Sequence, residues 1–148
     1  MRKPAPIIRL CLVILASLPL LSCVGETGDE LTLTFSPRGC SYEAAEVLDP
    51  LLTVNWIIEG DTAQEYAYLL LTMDKGKTKS DLQDWLAQST DHPSWAMILS
   101  WDTAGEGGKK TPKQLDFSAN ASFNGTPVYI VCAIGEQLFV EGPIKIKD

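Results

Sequence analysis

The chain of 148 residues holds one histidine, His92, so a metal centre or proton relay built on two imidazoles is excluded. No apolar run is long enough to span a bilayer. The longest, residues 10–21, has 12 residues, against the roughly 20 that a membrane helix needs. No Gly-x-Ser-x-Gly elbow and no Asp-x-Asp-x-Asp loop occurs, which removes the usual sequence basis for a serine hydrolase or an EF-hand calcium site. Internal repeats and low-complexity tracts are also missing.

What is present begins with an export signal. Arg2, Lys3 and Arg9 form a positive start, the 12-residue apolar run follows, and Leu20-Leu21-Ser22-Cys23 closes it. That order is the pattern of a removable signal peptide. The last four residues resemble the bacterial lipobox, in which a small residue precedes a cysteine whose sulfur takes a diacylglycerol group. The expected organisation is a lipoprotein signal peptide at 1–22, a lipidated tether at 23–30 and one folded domain at 31–148. The resemblance implies palmitate-type acyl chains on Cys23 and a protein lipid-anchored to a bacterial membrane, on its periplasmic or cell-surface side. Cys11 lies inside the signal and has no role in the mature chain.

Beyond residue 22 the chain keeps 126 residues, one domain's worth. Three of the 12 basic residues and none of the 19 acidic ones lie in the signal, leaving 9 against 19, a net charge of −10. A balance so acidic argues against nucleic acid and against anionic lipid headgroups as partners. Cys40 and Cys132 remain, and an oxidising compartment favours a disulfide between them. It would close a loop of about 90 residues, worth on the order of 4 kcal/mol by the chain-entropy model.

The pattern along the mature chain is that of strands separated by turns. Residues 31–35 (LTLTF) alternate cleanly, 51–58 (LLTVNWII) and 127–134 (PVYIVCAI) are rich in β-formers, and 64–73 is read as a strand from its aromatic and threonine content. Residues 95–101 (WAMILSW) read as a buried strand and 114–118 as an alternating one. Residues 103–112 read as a long loop with a basic tip at Lys109 and Lys110. A closing strand is expected over 138–140 and 144–146, broken at Gly142-Pro143. One helix is expected at 80–88, with Ser80 or Thr78 as cap, Asp81 at its positive end and Leu82, Trp85 and Leu86 on one face. Short strands at regular spacing with Gly, Pro and Asp turns indicate an all-β sandwich or barrel.

The C-terminal third resembles a cupredoxin, the β-sandwich of blue copper proteins. The residues that carry the likeness are Tyr129-Ile-Val-Cys132-Ala-Ile-Gly135 and Gly142-Pro-Ile144-Lys-Ile146. In that family a strand ends at a cysteine copper ligand, a loop brings a histidine and usually a methionine, and a final strand closes the sheet. The resemblance implies a cupredoxin-like Greek-key β-sandwich with one short inserted α-helix. The copper ligands do not carry over. No histidine follows Cys132; Gly135 or Gln137 stands where one is expected, and Val140 or Glu141 where the methionine is. A type 1 site needs two imidazoles and a thiolate. Hence no metal and no cofactor is expected.

Trp85, Trp95 and His92, on the helix and its exit, are the expected surface for a ligand or an envelope protein partner. Trp56 and Trp101, in strand runs, are expected in the core. Glu59, Asp61, Asp74, Asp81, Asp84 and Asp91 read as a solvated acidic face. The Asn120-Ala-Ser122 and Asn124-Gly-Thr126 sequons carry little meaning in a bacterial lipoprotein. The expectation is a non-catalytic binding or structural module of the cell envelope, not an enzyme. The alternative is a copper-handling or redox protein that uses Cys132, Cys40 and His92 in a non-standard site.

Overall fold

The computed structural model describes residues 28–60, 64–89, 91, 93–104, 111–118 and 125–147. The signal, Cys23, His92, the 105–110 loop tip, Asn120 and Asn124 lie outside the described residues. Among the described residues two sheets pack face to face, with one short helix on the outside, so the expected all-β sandwich with an inserted helix is what forms. Sheet A has the order β2-β1-β4-β7: β2 (Gly39–Glu43), β1 (Asp29–Ser36), β4 (Leu51–Ile58) and β7 (Lys113–Asp116). Sheet B has the order β3-β9-β8-β5-β6: β3 (Val47–Leu48), β9 (Gln137–Ile146), β8 (Pro127–Ile134), β5 (Tyr66–Met73) and β6 (Ala96–Ala104). β1 runs parallel to β4, and β3 parallel to β9; the other pairs are antiparallel.

Alternation decides what lies between the sheets. Leu31, Leu33 and Phe35 of β1 and Leu52 and Val54 of β4 point inward and are fully buried. They meet Tyr68, Leu70, Ile130 and Cys132 of sheet B. Phe35 stacks on Trp56 with ring centroids 5.0 Å apart and meets Tyr66 edge-on at 5.6 Å. Cys40 and Cys132 are bonded, with Cα atoms 6.1 Å apart, and the bond ties the edge strand β2 to the central strand β8. Every described element lies between Asp29 and Ile146, and this stretch carries its own core.

Three details differ from the sequence reading. Asp29 and Glu30, expected in the tether, are the first residues of β1. Beside them Gly28 is required, because a Cβ there would run into the Leu51 carbonyl. The closing strand is continuous from Gln137 to Ile146; at Gly142-Pro143 it takes an extra residue against β8. A bulge is where a strand tolerates a proline, which has no N–H for the ladder. Finally, β6 is an edge strand. Its apolar run predicts a buried strand, yet Met97, Ile98 and Trp101 are exposed.

Candidate functional site

The helix α1 (Lys79–Leu86) lies on the outer face of sheet B. Thr78 caps it: its hydroxyl accepts from the Asp81 N–H at 3.3 Å, and the Asp81 carboxylate accepts from the Thr78 N–H at 2.8 Å. This reciprocal pair satisfies two end groups and replaces the Ser80 alternative. The Thr78 hydroxyl, which also lies 2.8 Å from the Asp81 carboxylate as a donor, and then the Thr78 N–H hold that carboxyl below its ordinary pKa. With only eight residues, the helix depends on packing for its stability. Leu82 is fully buried against Leu71, Tyr129, Val131 and Val140, and Lys79 pairs with Glu141 at 3.4 Å.

The residues expected to form a binding surface, Trp85 and Trp95, do come together. Their rings meet edge-to-face at 6.3 Å. The Trp85 indole N–H donates to the Asp91 carbonyl at 2.9 Å, and the Lys77 ammonium sits 4.8 Å from the centre of the Trp95 ring. Both rings are therefore engaged in fastening the helix exit to the sheet, with Trp85 still 39% exposed.

The residue that sequence reasoning missed is Trp101. It was expected in the core and is 60% exposed, the largest exposure of any large apolar side chain described. The cause is a bulge. β5 pairs with β6 at Leu69↔Trp101 and Leu70↔Ser100, then slips to Leu71↔Ile98. Leu69 and Leu71 face the helix side, so Ile98 and Trp101 do too, although three residues apart. Strict alternation would have put them on opposite faces. The Lys113 ammonium donates to the Trp101 carbonyl at 2.8 Å. That contact and the bulge hinder another strand from adding along this part of β6.

Between the helix and Trp101 runs an apolar groove of about 180 Å³. Leu69, Leu71, Val131 and Ala133 line it from the sheet, Leu82, Leu86 and Pro93 from the helix side, and Trp101 and Leu138 complete it; Asp102 is the one ionisable carboxylate on its lining. Across the helix a larger cleft of about 500 Å³ is lined by Lys79, Gln83, Glu136 and Glu141 among others, and is far more polar.

Under β6 lies a small polar island. The Tyr68 and Ser100 hydroxyls are buried near one another, close enough for Ser100 to act against the rise in the Tyr68 pKa, yet neither has a well-formed hydrogen-bond partner among the described residues. Burial dominates and, with the nearby Asp102 charge, pushes Tyr68 up to about 12. A neutral phenol of this kind is neither nucleophile nor base near neutral pH. Among the described residues no group of three or more His, Cys, Asp or Glu side chains could hold a metal ion. Nor is any described helix long and apolar enough to cross a membrane.

Cys132 is fully buried, and its sulfur is bonded to Cys40. β8 joins β9 through a two-residue turn, Gly135-Glu136, with Gly135 at φ +56°. That value fits the first central position of a type II′ hairpin, which favours glycine. No ligand-bearing loop follows the cysteine. No protein-family model, curated protein or solved structure matches the chain.

Proposed function

We propose that the protein is a lipid-anchored module of a bacterial envelope that binds a partner without catalysing a reaction, on a cupredoxin-like sandwich that lacks a type 1 copper site. The observation that carries the binding role is the apolar groove beside the exposed Trp101 on the helix-bearing face of sheet B. A concave, mainly apolar surface with an exposed aromatic at its lip suits recognition, as such patches on soluble domains mark binding surfaces. The anchoring rests on Cys23 and the signal before it. The cupredoxin likeness is supported by the last strand, β9, pairing antiparallel with the Cys132 strand β8. The copper-handling alternative requires a Cys132 thiolate, and that sulfur is held in the disulfide.

The test is a photo-crosslinking amino acid placed at Trp101, and separately at Ile57, in intact envelopes. Ile57 is 47% exposed on the opposite outer face, that of sheet A. The proposal expects discrete adducts from position 101 and none from 57. Equal labelling from both positions, or none from either, would reject it. In parallel, Cys23→Ser should release the protein from the membrane fraction.

A further inference from the structure

We infer that the occupant of the groove is a second copy of this chain, each copy placing its Trp101 in the other's groove about a two-fold axis. The inference rests on the binding role proposed for this face. Four observations favour a copy over another occupant. First, a groove of about 180 Å³ suits one large side chain, since a cavity of roughly 150 Å³ takes a benzene; it is too small for a long acyl chain or a helix. Second, the molecule carries the matching knob at the groove's own lip. Trp101 forms a wall, so it cannot fill its own groove, but a rotated copy brings its Trp101 to the opening. That is the self-complementary contact a two-fold dimer needs. Third, the area fits. Trp101, Trp85, Leu138 and Ile98 are 60%, 39%, 40% and 37% exposed and together present on the order of 400 Å² of apolar surface. A standard interface covers about 800 Å² per partner, a little over half of it apolar. Fourth, the charge permits it. The chain from residue 24 on carries 9 basic and 19 acidic residues, net −10, but Trp101 is flanked by one charge of each sign, Asp102 and Lys113, so the inserted side chain itself carries no net charge beside it.

The experiment is sedimentation velocity on the chain from residue 24 onward, which retains every described element. The expected result is monomer at about 1 μM and dimer at about 200 μM, the affinity of a weak, transient pair. Raising the salt from about 0.05 to about 0.5 M should tighten it, because the two negative copies repel at long range. Trp101→Glu should abolish the dimer, as should Ile98→Lys, both with circular dichroism and melting unchanged. A dimer that persists in both variants would overturn the inference, since the interface would lie elsewhere. So would a monomer under every condition, and acrylamide quenching then says what has failed. If Trp101 is quencher-accessible, the face is open for a different partner and only self-association is lost. If Trp101 is shielded, the binding reading falls as well.

Discussion

The two sheets face water in different ways. The outer face of sheet A carries Thr32, Thr34, Ser41, Thr53, Asn55, Gln114 and Asp116 around the single exposed Ile57. It needs no cover. The outer face of sheet B carries Leu69, Leu71, Val131 and Val140, and a helix lies across it. The sequence marks the difference. LTLTF in β1 alternates because one face is wet, whereas YAYLLLTM in β5 and PVYIVCAI in β8 are nearly unbroken apolar runs because both faces are covered. The helix covers sheet B incompletely, and the strip it leaves toward Ile98 and Trp101 is where a function can be placed.

Perturbing both faces at once should give the largest effect. Replacing Cys40 and Cys132 together by alanine removes the tie between the sheets and should cost about 4 kcal/mol, measured by urea unfolding. Next comes the difference between the faces. Leu82→Ala, which opens a cavity between helix and sheet B, should cost about 3 kcal/mol. Thr34→Ala on the outer face of sheet A should stay within about 0.5 kcal/mol. If both cost the same, the two faces are not distinct. Thr78→Ala, which removes the capping hydroxyl, should cost about 1 kcal/mol and lower the helical circular-dichroism signal without moving the β signal.

The smallest effect at neutral pH belongs to Tyr68. Its folded pKa, about 12, stands above the ordinary 10.0, so the unfolded chain loses that proton first as pH rises. The stabilisation is complete below pH 10 and is lost between about pH 10 and 12. Tyr68→Phe should leave neutral-pH stability nearly unchanged and flatten that alkaline decline, read from melting temperature against pH. An unchanged decline in the variant would assign it to other groups.

Much of the fold was legible because it follows local rules. The bounds of β4 and β8 coincide with the runs at 51–58 and 127–134. The helix starts one residue early, behind the cap that Thr78 and Asp81 build between them. The Cys40–Cys132 bond agrees with what the count of remaining cysteines and the export signal lead one to expect. What was not legible depends on pairing. Whether WAMILSW lies in the middle or at the edge of a sheet is decided by its neighbours, and Trp101 faces outward only because Leu99 is the extra residue of a bulge opposite β5. Of the expected site residues, Trp85 and Trp95 meet, but mainly to fasten the helix. Neither lines the groove, which Trp101, Val131 and Leu138 complete from distant parts of the chain that no local pattern joins.

The most direct test of the account is acrylamide quenching of tryptophan fluorescence at about 1 μM, wild type against Trp101→Phe. The difference isolates Trp101 from Trp56, Trp85 and Trp95. The account predicts that the substitution removes the most readily quenched part of the emission. If it removes a part that acrylamide does not reach, Trp101 is buried, the bulge does not turn it outward, and the groove has no open face.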